Sequence, residues 1–202
     1  MKLYDSKLAP NPRRVRVFLA EKGVTVDTVQ VDIATAENRK PEFLALNPSG
    51  GVPVLQLDDG SYLSETVAIC RYIEETHPEP ALFGTGARER AFVEMWQRRM
   101  EFEVFMPIAQ TFRNTHKFFA GRIPQVPEYG EVCRKAALAR LGTLDGELAS
   151  REFVAGDRYS IADITALCGI DFGKPSGIRI AEEHKNLLRW HAAVSGRPSA
   201  RA

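Results

Sequence analysis

Apolar and polar residues alternate in short runs through the first sixty positions and then recur at helical spacing along most of the remainder. Lys2 to Asp5 reads as a short strand. Val15, Phe18 and Leu19 then fall at i, i+3 and i+4, which predicts a helix opened by Asn11 as its cap with Pro12 in first position and closed by Gly23. Arg13, Arg14, Arg16 and Lys22 are expected on its polar side. Val29, Val31 and Ile33 alternate with Gln30 and Asp32 and predict a second strand, and a short helix is expected around Pro41 to Leu46. A strand, a helix and a strand imply a parallel pair. Val54 to Leu57 and Tyr62 to Leu63 flank Asp58-Asp59-Gly60-Ser61, a hairpin signal that makes the expected four-stranded sheet mixed. A helix from about Glu65 to Thr76 closes this part.

Pro78, Pro80, Gly84 and Gly86 then cluster ahead of long helical patterns. The expected organisation is an α/β domain over 1–79, a linker over 80–87 and an all-α domain over 88–202. In the second domain Phe92, Met95, Trp96 and Phe102 share a helix face with Arg99, and Pro107 should kink or break that helix. Leu138, Leu141, Leu144 and Leu148 mark another helix. Ser160 and Asp163 form a capping box, with Tyr159 and Ile164 at the staple positions.

Composition narrows the classes of function. The chain has 202 residues, an ordinary apolar fraction of 44% and a formal charge of +1, so no polyanion partner is implied and nucleic acid is not an expected ligand. No apolar run is long enough to span a bilayer and no basic leader precedes an apolar core, so no membrane association is expected and a cytoplasmic address is the default. Cys70, Cys133 and Cys168 are scattered without a Cys-x-x-Cys pair, and the four histidines lack zinc-site spacing. A reactive thiol would have to come with the ligand, and no metal is expected.

The stretch from Leu46 to Leu55 and the following Ser64-Glu65-Thr66 carry the strongest chemical signal. Val52-Pro53 ahead of the apolar run predicts a tight cis turn that leaves the backbone of Val52 available to an extended peptide as an added strand. Glu65 and Thr66, at a helix start with free N–H groups, suit the peptide's charged end.

Taken with Lys2-Leu3-Tyr4, Pro10-Asn11-Pro12-Arg13-Arg14-Val15-Arg16, Asn47-Pro48 and Phe153-Val154-Ala155-Gly156-Asp157 leading into Ser160-Ile161-Ala162-Asp163-Ile164, these motifs make the chain resemble the cytosolic glutathione transferases over its full length. The resemblance implies a thioredoxin-like first domain, a helical-bundle second domain, a homodimer and glutathione as co-substrate. It assigns Lys40, and secondarily Arg39, to the glycyl carboxylate of glutathione, Val52 and Pro53 to backbone pairing with the peptide, and Glu65 and Thr66 to its γ-glutamyl group. The electrophile pocket would lie between the domains, with Leu8, Phe105, Met106, Phe112 and Arg113 as its candidates.

The sequence departs from the family pattern where several classes place a serine, threonine or cysteine ahead of the first helix, because Ala9 stands there. Lowering the thiol pKa by about two units needs roughly 2.7 kcal/mol. A helix dipole is worth about 0.3 to 1 kcal/mol, and a side-chain donor to a charge about 1.5 to 3 kcal/mol. Asn11 is the leading donor candidate, with Ser6 and Tyr4 behind it; Asn11 equally suits a simple helix cap. The implied reaction is attack of the thiolate on a small hydrophobic electrophile. A glutathione-dependent peroxidase or disulfide reductase is the alternative within enzymes, and a non-catalytic binding or scaffold protein the alternative outside them.

Overall fold

Four short strands build one sheet: β1 (Lys2–Asp5), β2 (Asp27–Gln30), β3 (Val54–Gln56) and β4 (Tyr62–Leu63). Their order is β2-β1-β3-β4, with β1 parallel to β2 and antiparallel to β3, and β3 antiparallel to β4. The computed structural model describes residues 1–202 and separates into two compact units, Met1–Ala81 with Arg201–Ala202, and Leu82–Ala200. Val54 and Leu55 are both fully buried, so β3 is covered on both faces of the sheet. On one face Val54 joins Val31 and Phe43, with Tyr4, Leu46 and Val52 packed against them.

The second strand lies earlier than the alternation predicts. β2 occupies Asp27–Gln30 on the sheet edge and is exposed throughout. Val31 follows it as a buried residue whose N–H donates to Asp5 O at 2.7 Å. The apolar alternation there reports the packing of Val31 rather than the extent of the ladder, because an edge strand is defined by its one neighbour.

Helix α1 (Pro10–Lys22) begins two residues ahead of the expected start. Ala9 is the extended residue at the cap position, so Asn11 is not the cap. Pro10 sits at the first helical position and Pro12 two further on, both tolerated because an N–H there has no intrahelical acceptor. Gly23, at φ +63°, ends the helix as expected.

Arg14 and Lys22 are buried, against the expectation of a polar outer side. Helix α3 (Thr66–Thr76) and the residues just after it supply partners: Arg14 Nη1 donates to Thr66 Oγ1 at 2.7 Å. Lys22 Nζ lies 2.5 Å from Glu74 Oε2 and donates to the carbonyls of His77 (2.8 Å), Pro78 (3.2 Å) and Pro80 (2.5 Å). Between these helices runs the four-residue α2 (Pro41–Leu44).

The second unit holds α4 (Gly86–Arg99), α5 (Met106–Thr115), α6 (Pro127–Glu147), α7 (Ile161–Phe172) and α8 (Lys185–Ser195). Leu82 and Phe83, in the stretch expected as linker, are buried and belong to this unit. Pro107 does not break the helix: a π-helical turn over Met100–Phe105 precedes it, with Met106 N–H reaching back to Glu101 O. That wider turn accommodates a residue that has no N–H to give the ladder. Of the expected apolar face only Trp96 is buried; Phe92 and Met95 on α4 and Phe102 in the π-helical turn are exposed, with the guanidinium groups of Arg88 and Arg98 laid over Phe92 and Phe102.

Helix α7 is the buried centre of this unit, with every residue from Ile161 to Ile170 inaccessible or nearly so. Its capping box forms as the sequence predicts, and Tyr159 and Ile164 are both buried. Cys70, Cys133 and Cys168 are free thiols in the interior. No helix is long and apolar enough to cross a membrane.

Candidate active site

The loop from Ser6 to Ala9 follows β1 and is held by a buried carboxylate. Asp5 accepts from Arg16 Nη1 at 2.6 Å and from Gln30 Nε2 at 2.7 Å. Gln30 Oε1 in turn accepts the Lys7 N–H at 3.1 Å, and Arg16 Nη2 donates to Lys7 O at 3.0 Å. An irregular loop is thereby fixed to β2 and α1 by charge-assisted bonds, while Leu8 at its tip is 93% exposed.

The start of α1 offers few donors. Of the four N–H groups that a helix start leaves without intrahelical acceptors, Ala9's donates to Ser6 O at 2.9 Å, and Pro10 and Pro12 have none. Arg13 N–H already turns back to Ala9 O at 3.3 Å. The remaining backbone donor is that of Asn11, whose side chain is exposed beside it. Ser6 is buried at the end of β1, and Tyr4 packs edge-on against Phe43 at 6.4 Å within the sheet's apolar cluster.

Strand register brings three of the candidates to one end of the sheet. The β1–β3 pairs run Lys2↔Gln56, Leu3↔Leu55 and Tyr4↔Val54, so Ser6, just after β1, and Val52-Pro53, just before β3, lie off the same end of this pair. The β3–β4 pairs run Gln56↔Tyr62 and Leu55↔Leu63, so Glu65, two residues after β4, lies off that end as well. The Val52-Pro53 bond is cis, and Val52 lies beyond the last pair of the ladder.

Glu65 caps α3 in a left-handed conformation, φ +67° and ψ 116°, which a side chain with a Cβ adopts only under constraint from its surroundings. Its carboxylate is exposed and makes no ion pair within the chain. Thr66 is buried behind it, and its hydroxyl accepts from Arg14 Nη1 at 2.7 Å.

Lys40 and Arg39 differ in what they have free. Arg39 Nη1 donates to Ser49 O at 3.0 Å and lies over Gly50, which sits at φ +65° where an added Cβ would come within 2.6 Å of that nitrogen. Asn38 Nδ2 donates to Gly50 O at 2.7 Å, and Asn47 Nδ2 to Gly51 O at 2.9 Å. Arg39 thus helps shape the loop that leads into Val52. Lys40 is exposed at the start of α2, and its ammonium has no partner in the chain.

The candidates for the electrophile pocket take different surroundings. Phe105 is buried, with an added Cβ on Gly169 placed 3.0 Å from its ring. Met106 is exposed on α5. Phe112 stacks on His116 at 4.2 Å and meets Phe172 at 4.8 Å, and Arg113 lies over Phe119 at 5.0 Å. Phe118 and Phe119 join this cluster edge to face at 5.1 Å. The sequence places Arg14 within the Pro10–Arg16 motif without giving it a role and gives none to Gln30 or Phe172; the burial of Arg14 and the reach of Gln30 reveal theirs.

Comparison with known proteins decides the family. Residues 9–76 match the model of the glutathione S-transferase N-terminal domain, and residues 105–198 that of the glutathione S-transferase C-terminal domain. The chain belongs to the glutathione S-transferase family. It is 37% identical over 208 residues to glutathione S-transferase 2 of Saccharomyces cerevisiae, covering 100% of this chain and 88% of that relative. The crystal structure of Gtt2 from the same yeast superimposes with a TM-score of 0.95 at 36% identity, covering 100% of this chain and 99% of the other. A shorter likeness, 42% over 93 residues, joins 45% of this chain to 44% of maleylacetoacetate isomerase of Pseudomonas aeruginosa. Glutathione S-transferases use glutathione as co-substrate, and this transferase assembles no group of three or more metal-capable side chains.

Proposed function

We propose that this glutathione S-transferase binds glutathione at the end of its sheet and adds the thiolate to small hydrophobic electrophiles. The observation that supports this reading is the strand order and register that leave Ser6, Val52-Pro53 and Glu65 off one end of the sheet. In this reading Val52 pairs with the peptide backbone, Lys40 meets its glycyl carboxylate, Glu65 its ammonium and Thr66 its γ-glutamyl carboxylate. Asn11 supports the thiolate with a backbone N–H and a side-chain amide, and the protein contributes acidity and proximity to the attack.

An ultraviolet difference titration of bound glutathione, following thiolate absorbance against pH, tests it. A thiol pKa well below that of free glutathione is expected. Glutathione that fails to bind, or binds with an unshifted thiol, would favour a binding or scaffold protein.

A second reading within the same site is glutathione-dependent reduction of a peroxide or a disulfide. The absence of a side-chain donor at Ala9 favours it, since a thiolate less tightly held is a stronger nucleophile toward sulfur or oxygen. Rates with a hydroperoxide and with a glutathione mixed disulfide, measured beside conjugation, separate the two.

The exposed stripe of Phe92 and Met95 on α4 and Phe102 in the π-helical turn after it supports a homodimer. Sedimentation should show a dimer for the native chain and a monomer for Phe92→Glu.

A further inference from the structure

Arg14 is 1% exposed, and its Nη1 donates to Thr66 Oγ1 at 2.7 Å in a buried contact between α1 and the first residue of α3. A guanidinium in the interior is costly unless it is well bonded. Val15, Phe18, Ile69 and Ile73 on the same two helices are also buried, so apolar side chains are available to the interior without a guanidinium.

The bond has a direction. Guanidinium only donates, whereas a threonine hydroxyl has one proton and two lone pairs. With one lone pair held by Arg14, the Thr66 proton must turn away from the guanidinium. A charged donor on the oxygen also polarises the O–H and strengthens it as a donor. Thr66 is the first residue of α3, so its hydroxyl sits at the positive end of that helix beside the Arg14 charge, and both favour an anion there.

We propose that Arg14 is a positioning residue for glutathione: it fixes the Thr66 hydroxyl as a donor and so makes the site selective for the α-carboxylate of the γ-glutamyl group. The proposal rests on the glutathione-binding reading above. It predicts a division of labour in which Thr66 and Arg14 serve that carboxylate and Glu65 serves the neighbouring ammonium.

Two S-methylated peptides separate these contributions: glutaryl-Cys-Gly keeps the carboxylate and lacks the ammonium, and 4-aminobutanoyl-Cys-Gly keeps the ammonium and lacks the carboxylate. Calorimetric titration of the native chain with S-methylglutathione comes first; no binding there overturns the underlying reading, whatever Arg14 does. Given binding, Arg14→Gln is expected to weaken S-methylglutathione and the glutaryl peptide about tenfold and to leave the 4-aminobutanoyl peptide unchanged. In turnover, KM for glutathione should rise with kcat unchanged, the mark of lost ground-state binding. Equal weakening of both peptides, or of neither, overturns the proposal, since a packing defect would not distinguish a carboxylate from an ammonium. If Arg14→Gln does not fold, Arg14→Lys decides: it keeps charge and a donor but lacks the fork. Its expected loss, about two- to fivefold, falls on the glutaryl peptide alone, and a loss shared by both peptides or absent from both is the contrary result.

Discussion

Trp190 donates its indole N–H to Asp163 Oδ1 at 2.8 Å, across 27 residues of sequence, in the centre of the second unit. The same carboxylate accepts from Val154 N–H at 2.8 Å and from Ser160 N–H and Oγ at 3.0 and 3.1 Å. One side chain therefore joins the capping box of α7, the turn before it and α8. Asp163→Ala would strand these donors in a site that is 0% exposed, at a cost of about 4 kcal/mol or more. Trp190→Phe removes one donor and keeps most of the volume, for about 1 to 2 kcal/mol. Denaturant unfolding of both variants measures the difference.

The same residue sets a pH dependence. Burial pushes the Asp163 carboxyl up from 3.8 to about 6, against the opposing pull of its hydrogen bonds from Val154, Trp190 and Ser160. Because the folded pKa is raised, the folded protein holds a proton that the unfolded chain releases between these values. The contribution of Asp163 is then fullest below pH 3.8 and is lost as the pH rises through about 6. The stability gap between the native chain and Asp163→Asn should narrow as the pH is raised from 4 to 7 in a denaturant titration. A gap that widens would reverse the sign.

Glu65 holds a left-handed conformation that glycine adopts freely. Glu65→Gly should therefore stabilise the fold by about 1 kcal/mol while weakening glutathione, because it removes both the backbone strain and the exposed carboxylate. Thermal unfolding and calorimetric binding, run on the same preparation, should move in opposite directions.

Asn11→Ala keeps the backbone N–H and removes the amide side chain. The thiol of bound glutathione should rise by about one pKa unit or more with nearly unchanged affinity. Since Asn11 is not the helix cap, little stability should be lost. An unshifted thiol in the ultraviolet titration would leave the backbone N–H as the only contribution of this residue.

What could be seen in the sequence was local. The β3–β4 hairpin, the Gly23 stop and the Ser160–Asp163 box each rest on residues within a few positions of one another, and each formed as expected. The misses came from long-range partners. Arg14 and Lys22 read as a solvated face because nothing near them predicts that α3, some fifty residues on, supplies a hydroxyl and a carboxylate. The helix start was misplaced because Pro10 and Pro12 are both acceptable in a first turn, and the sequence does not choose between them. Pro107 was expected to interrupt a helix, and only the backbone shows a wider turn taking up its missing donor. In the candidate site, Glu65 and Val52-Pro53 could be picked out by motif, but only the strand register puts them off the same end of the sheet.

Lys22 ends α1 with one ammonium facing Glu74 and the carbonyls of His77, Pro78 and Pro80 after α3. Lys22→Met would remove that charge and all of its donors in a single step. The chain over 77–80 would then change from a moored turn into a loose tether, and a protease would find a cut there that the intact protein withholds.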